Sequence, residues 1–444
     1  MSASPVPKPN IHSVRTDEMP PELLEFCARH GIDARIYENV DELPRFVRIN
    51  PRNPVTRQEL EQELWDHGFR DDGLKSQFRP PNTEDEHLLP LVQKAPLSDF
   101  FQLDGRVGVA RLPSFRSGRL YGMDAASAIA VLTLDVRRGH HVLDLCCAPG
   151  MKLCMMADTL SVGTGAQGSV TGVDVSEERL NSARSLVRRH ELQSIIRLRL
   201  HDGRTFQLPP PTPQQLRDDI SSLRPRMQRR YAKKRRKLTE QLAKRVIHKD
   251  TEDTENIERN CSENNNNNRS TSDTGDTLYD RVLVDAECTH DGSVRHIAKF
   301  AQWGWDTFRR RVLEAERGAA AVQDLQLQLL RNGFSLLKPG GVIVYSTCSF
   351  TRVQNEGVVE RFLELESDAV PEELPLSDDL RRQMPWHGAL ADPESSETAR
   401  GLQHVARFDP VTSNTSGLFV ARFRKQEHLT ATLSAQAESG SPPC

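Results

Sequence analysis

From Gly122 onward the chain alternates helical and strand patterns at short intervals, and no other feature narrows its choice of fold so far. Residues 124–134 carry apolar side chains at helical spacing, His141-Val-Leu-Asp-Leu-Cys146 reads as a short buried strand, and a turn at Ala148-Pro149-Gly150 leads into a helix through residue 160. Residues 169–173 form the next strand pattern, ending on Asp174. A helix over 177–190 follows, and then a strand over 195–200 that ends near Asp202. Further strands are predicted at 281–284, 342–345 and 418–423, with a long helix over 305–334 and a shorter one over 355–365. Such alternation predicts an α/β fold with a doubly wound, mostly parallel sheet, whose ligands bind at the carboxyl ends of its strands.

Other segments flank or interrupt this rhythm. Residues 1–20 are rich in Ser and Pro and lack an apolar period, so they are expected to be a disordered tail, as are 426–444. Helical spacing over 21–31, a strand-like Arg45-Phe-Val-Arg-Ile-Asn50 and a second helix over 56–68 predict a small N-terminal α/β module over 21–115. The main domain is expected over 116–425. A Pro-rich, then basic, then Asn-rich insertion at about 208–278 interrupts it, with a Lys/Arg-dense part at 224–249 and an Asn run at 264–268 that has no means of burying a core.

The 59 basic and 62 acidic residues give a net charge of −3, so the whole chain carries no electrostatic signature of a nucleic-acid binder, although the average conceals the basic insertion. No run approaches the roughly 20 apolar residues that span a bilayer, so no membrane partner is expected. The eight cysteines, Cys27, Cys146, Cys147, Cys154, Cys261, Cys288, Cys348 and Cys444, are scattered along a chain without a secretory signal, which points to a reducing, intracellular compartment without disulfides. No C-x-x-C pair occurs, and no metal is expected.

Asp144-Leu-Cys146-Cys147-Ala148-Pro149-Gly150-Met151-Lys152 lies where a strand feeds a helix, the position at which small residues let backbone N–H groups approach a ligand. It is not G-x-G-x-x-G, which disfavours a dinucleotide. Asp174 suits a ribose diol, and Asp202 ends the following strand. One turn and serial strand-end carboxylates fit S-adenosylmethionine, with its adenine, ribose and charged methionine portions. Arg179, in the first turn of the next helix, completes the cofactor-binding set.

Two thiols fall on the same edge. Asp285-Ala-Glu-Cys288 follows the strand at 281–284, and Thr347-Cys348-Ser349 follows the strand at 342–345. An isolated Cys is ordinarily a small buried hydrophobe, the reading applied to Cys27, Cys154 and Cys444. The strand-end setting and the Ser/Thr hydroxyls favour reactivity at Cys288 and Cys348.

Taken together, these motifs resemble the Sun-type RNA cytosine-5 methyltransferases, a family of class I, Rossmann-like enzymes that use S-adenosylmethionine. Asp144 to Lys152 matches the family's Asp-x-Cys-Ala-Ala-Pro-Gly-x-Lys with Cys147 for the first Ala, and Thr347-Cys348-Ser349 with Asn355-Glu356 matches its Thr-Cys-Ser region. Tyr121-Gly-Met-Asp124-Ala-Ala-Ser127, Arg48-Ile-Asn50 and Gly417-Leu-Phe-Val-Ala421 resemble its helix-opening motif, its leading RNA-binding module and its closing strand. The resemblance implies that Cys146 to Lys152, Asp174, Asp202 and Asp285 contact cofactor or target base. It implies further that Cys348 is the nucleophile, that Cys288 assists product release and that Asp285 activates the base. Carbon 5 of cytosine is a poor nucleophile, so a thiolate first adds at carbon 6 of a base that has left its stack, and a carboxyl group near nitrogen 3 stabilises the adduct. The implied product is 5-methylcytosine in RNA, with transfer or ribosomal RNA as partner.

The family's Asp-Ala-Pro-Cys-Ser-Gly-x-Gly reads here as Asp285-Ala-Glu287-Cys288-Thr289-His290-Asp291-Gly292. Glu287 is expected to disfavour the Cys288 thiolate, with His290 opposing it when protonated or shuttling a proton, so product release is expected to be slow or differently assisted. These replacements also suggest an alternative, a catalytically impaired RNA-binding or assembly factor that keeps the fold. Lys152 is read as an electrostatic or packing element of the cofactor site, and Trp303 and Trp305 as core residues rather than base-stacking ones. The run Lys233-Lys-Arg-Arg-Lys237 reads as a phosphate-binding patch or a nuclear or nucleolar targeting signal; cytoplasm and mitochondrion stay open.

Overall fold

The computed structural model describes residues 15–68 except 39, 41 and 42, then 91–161, 168–215 except 213, 277–313 except 296, 298, 299 and 301–303, 319–390, and 401–427. The basic and Asn-rich stretches at 224–249 and 264–268, the run Lys233–Lys237, both tails beyond these bounds, Cys261, Cys444 and Trp303 lie outside the described residues.

Helix α1 (Pro21–Arg29) starts with Pro at its first position, where the missing N–H costs nothing, and α2 (Arg57–Glu63) opens on a Thr56–Glu59 capping box and continues as a π turn over Leu64–Gly68. Strands β1 (Arg45–Ile49), β2 (Gln93–Lys94), β3 (Phe100–Leu103) and β4 (Leu120–Gly122) form an antiparallel sheet in the order β2-β3-β1-β4, and a short helix α3 (Pro113–Arg116) precedes β4. The last of these strands lies beyond residue 115, so the sheet of the leading module runs up to the first residues of the next helix.

That helix, α4 (Ala125–Thr133), is capped by Asp124. There follow β5 (His141–Asp144), α5 (Met151–Ser161), β6 (Ser169–Asp174), α6 (Glu177–Arg189), β7 (Ile196–Leu200), β8 (Tyr279–Asp285), α7 (Ala319–Ser335), β9 (Leu337–Thr347), α8 (Glu356–Leu365), β10 (Ala369–Pro371), α9 (Asp378–Gln383), β11 (Ala406–Phe408) and β12 (Leu418–Lys425). The sheet order is β10-β12-β9-β8-β5-β6-β7, with β11 paired to β12; the central pairs are parallel and those made by β12 antiparallel. Successive residues of one strand enter different cores. Val142, Leu283, Val342 and Val344 pack with α4, α5 and α6 on one face, and Leu143, Val282, Val284 and Ile343 pack with α7 and α8 on the other. Two-sided burial explains why these strands read as continuous apolar runs. Of the long helix expected over 305–334, the structure describes a short helix Asp306–Phe308 that gives way to a π turn at Arg309–Leu313, and then α7; residues 314–318 lie outside the described residues. Trp305 packs edge-on against Phe308 in a core that α1 shares.

The leading module is joined to the main domain by buried ion pairs. Arg48, 3% exposed, bonds Asp99 and Asp158 of α5, and Arg52 takes the other Asp158 oxygen; Asn50 donates to the Gly118 carbonyl. The Arg48-Ile-Asn50 motif therefore faces inward.

Candidate active site

Chain order runs β5, β6, β7 to one side of the sheet and β8, β9 to the other, so the switch point lies between β5 and β8, and the crevice outside their carboxyl ends is the expected ligand site. The turn after β5 has a cis Ala148–Pro149 peptide and Gly150 at φ +107°, a conformation open to Gly and strained for other residues. Asp174, at the end of β6, accepts the Ala148 and Ser176 N–H groups at 3.2 and 2.9 Å. Arg179 donates to the Ala148 carbonyl at 2.9 Å and lies 3.8 Å from Asp174, so it braces the turn. Cys147 is buried, donates its N–H to the Val173 carbonyl and lies over Gly172, where a Cβ would meet its sulfur at 2.9 Å. Cys146 is partly exposed, and burial pushes its thiol well up. Asp202, at the strand end beyond β7, is held by a forked pair with Arg204 that lowers its pKa.

Asp144 was quoted in the motif but not placed among the site residues, and the structure brings it forward. It is 1% exposed, its Oδ1 accepts the Cys146 N–H at 3.3 Å, and burial with the neighbouring charge of Asp285 pushes its carboxyl up to about 8. Asp285, ending β8, receives Lys152 Nζ on one oxygen at 2.8 Å and the Ser346 hydroxyl on the other at 2.7 Å. Burial works against the Lys152 ammonium, and Asp285 outweighs it, holding the pKa above its ordinary value. Lys152 is thus a site cation bridging two loops.

The two cysteines converge. Cys288 Sγ lies 3.3 Å from Cys348 Sγ, His290 Nδ1 lies 3.1 Å from Cys348 Sγ, and the Ser293 hydroxyl donates to Cys348 at 3.4 Å. The hydrogen bond from Cys288, and then the one from His290, hold the Cys348 thiol well below its ordinary pKa against the opposing effect of burial. Cys288 is pushed well above, first by that same hydrogen bond and then by burial. The expected direction for Cys288 holds, but Glu287 is not the cause: its side chain is exposed, and its backbone carbonyl accepts from Gln326. His290 sits at φ +57°, where the resembling motif has Gly; this left-handed backbone turns its ring onto Cys348, and that hydrogen bond raises its pKa. Neither Ser293 nor Ser346 carried a signal in the sequence beyond lying near a cysteine.

The thiol loops are locked to one another. Gly292 N–H donates to the Cys348 carbonyl at 2.8 Å, and a Cβ at Gly292 would meet that oxygen at 2.3 Å, so only Gly permits the approach. Buried Asp291 accepts the Phe350 N–H at 2.6 Å and the Thr289 hydroxyl, while Tyr37 of the leading module donates to the Asp291 carbonyl at 3.0 Å. Asn355 accepts from Thr347 at 2.6 Å and donates to the Ser349 carbonyl at 2.8 Å, and Glu356 pairs with buried Arg407, which also donates to the Phe350 carbonyl. Asn355 and Glu356 are therefore supports of the Cys348 loop.

The doubly wound sheet, with a carboxylate-lined turn after β5 and two thiols after β8 and β9, is of the Rossmann-like type found in methyltransferases. The family model described as 16S rRNA methyltransferase RsmB/F matches residues 131–215 and 233–424, more than half the chain, and the chain belongs to that family. It is 25% identical over 360 residues, 73% of this chain and 41% of the relative, to the multisite-specific tRNA:(cytosine-C(5))-methyltransferase of Saccharomyces cerevisiae. To the 5-cytosine rRNA methyltransferase NSUN4 of Bos taurus it is 32% identical over 265 residues, 59% of this chain and 50% of the relative. The chain thus spans about half or less of the length of these relatives. A solved methyltransferase homologue from Pyrococcus horikoshii shares the fold at TM-score 0.53 and 21% identity, covering 92% of this chain and all of that one.

Proposed function

We propose that this protein is an S-adenosylmethionine-dependent RNA methyltransferase that forms 5-methylcytosine through a covalent adduct between Cys348 and carbon 6 of the target base. The observation that carries the reading is the Cys348 thiol, acidified by Cys288 and His290 and locked beside the Lys152–Asp285 pair at the switch point. The relatives act on tRNA or rRNA by name, and a structured RNA of that kind is the substrate class proposed here.

The donor set fits the cofactor. Asp174 and Asp285 both lie close enough to Asp144 to raise its pKa, and the two carboxylates suit a ligand carrying a sulfonium and an ammonium group. The turn from Cys146 to Met151, with Asp174 and Asp202, would hold it. Bound there, S-adenosylmethionine supplies the electrophilic methyl group that carbon 5 takes up.

His290 Nδ1 receives the Cys348 proton, and the thiolate adds to carbon 6. The Lys152–Asp285 pair hydrogen-bonds the base near nitrogen 3 as charge develops on the ring. The carbon-5 proton then passes to water in the crevice, Cys288, held protonated by its surroundings, donates to Cys348 as the carbon–sulfur bond breaks, and the proton held on His290 returns to Cys288. Incubation with methyl-labelled cofactor and total RNA, for the native chain and Cys348→Ala, tests the reading. Label must enter RNA cytosine with the first and not the second. Absence of label from both would favour the RNA-binding factor that lacks catalysis.

A further inference from the structure

We propose that Cys288, His290 and Cys348 also form a binding site for a thiophilic divalent cation, with Zn2+ as the natural occupant, and that the cation competes with substrate for Cys348. The competition, though not the binding, rests on the assignment of Cys348 as nucleophile.

The donors come from two loops, which is why no spacing motif revealed them. Cys288 and His290 are two residues apart after β8, and Cys348 follows β9. Their ligand atoms lie 3.3 Å apart between the sulfurs, 3.1 Å from His290 Nδ1 to Cys348 and 3.8 Å from His290 Nδ1 to Cys288. A tetrahedral zinc with Zn–S near 2.3 Å and Zn–N near 2.0–2.1 Å needs sulfurs about 3.8 Å apart and sulfur-to-nitrogen separations of about 3.5 Å. Each separation therefore has to change by roughly half an ångström or less.

Borderline-soft zinc prefers this set of two sulfurs and an imidazole, and three protein ligands leave the fourth position open to water. Rigidity favours binding too. The Gly292–Cys348 backbone bond, the Asp291–Phe350 bond and the Tyr37–Asp291 bond hold both loops in place before any ion arrives, which reduces the ordering cost. Cys288 Sγ is buried and Cys348 is partly exposed, so the ion is reached from the crevice in which the target base would sit. A sulfur bonded to the cation has its nucleophilic lone pair engaged and cannot add to carbon 6.

The reduced full-length chain is titrated with Co2+, whose thiolate complexes show ligand-to-metal charge transfer and, when tetrahedral, intense visible bands. The native chain is expected to bind one equivalent with both features and to release it to Zn2+. His290→Gly, which suits the φ of +57°, keeps the loop and is expected to weaken Co2+ by at least about tenfold, because loss of even an outer partner of a ligand costs that much. Cys288→Ser is expected to reduce the charge-transfer intensity. No charge-transfer band in the native chain, or a titration unchanged in both variants, overturns the site. For the competition, Zn2+ is expected to protect Cys348 from iodoacetamide and to stop RNA methylation until a chelator is added. Undiminished alkylation with zinc bound overturns it. A chain that methylates no RNA under any condition refutes the functional reading and leaves the cobalt titration to decide the site.

Discussion

Lys152 Nζ lies 2.8 Å from Asp285 Oδ2, and this bond ties the first turn of α5 to the end of β8 across the switch point. Lys152→Met is expected to leave Asp285 and Asp144 facing each other without their cation and to lower kcat/KM by about a hundredfold. Asp285→Asn should have an effect of the same order. Because the two share one interaction, the double variant should cost less than the sum, with a coupling of roughly 0.5–3 kcal/mol in a double-mutant cycle on kcat/KM. Full additivity would show that they act independently.

Cys348→Ala and Cys288→Ala separate adduct formation from adduct breakdown. The first should lower turnover by on the order of 10⁴-fold or more and form no protein–RNA conjugate on a denaturing gel. The second should form the conjugate and release it slowly. If Cys288→Ala turned over normally without trapping RNA, Cys288 would have no part in release.

His290→Gly removes the imidazole and keeps a backbone that Gly adopts freely. Alkylation of Cys348 by iodoacetamide at neutral pH should slow by about tenfold or more as the thiolate fraction falls, and methyl transfer should slow by about a hundredfold. Unaltered alkylation would assign the acidity of Cys348 to Cys288 and Ser293.

Asp144 makes stability depend on pH. Its folded value of about 8 lies above the unfolded value of about 3.9, so the folded state keeps a proton that the unfolded chain releases. Its contribution is full below about pH 4 and is lost as pH rises through about pH 8. Asp144→Asn should remove that loss, so the gap in denaturant midpoint between variant and native chain should widen in the variant's favour across this window. A constant gap would place the Asp144 carboxyl in the ordinary range.

Glu356 is fully buried and Arg407 is 7% exposed, and the pair supports the Cys348 loop through Phe350. Arg407→Ala leaves a buried carboxylate without its partner and should cost about 3–5 kcal/mol in chemical denaturation. A loss below about 1 kcal/mol would class the pair with exposed ones.

Much of the fold was legible in particular residues. Val142-Leu143, Val282-Leu283-Val284 and Val342-Ile343-Val344 announced strands buried on both faces, because each neighbour enters a different core. The short strands β10 and β11 were not legible: three residues added alongside β12 carry no period. The helix expected over 305–334 is not regular where it is described, because its two ends serve different cores: Phe308, beside the π turn, packs with α1, while Leu327 and Leu330 pack against the sheet.

By itself the sequence determined the alternation of elements, the turn from Asp144 to Lys152, and the placing of Cys288 and Cys348 at strand ends, since these follow from local period and from residue types that occupy turns. Tertiary structure alone decided that Lys152 belongs to Asp285, that Asp144 holds its proton, and that His290 Nδ1 meets the Cys348 sulfur. Those outcomes depend on distances between loops far apart in the chain and on burial, and a charge or thiol takes its chemistry from what packs beside it.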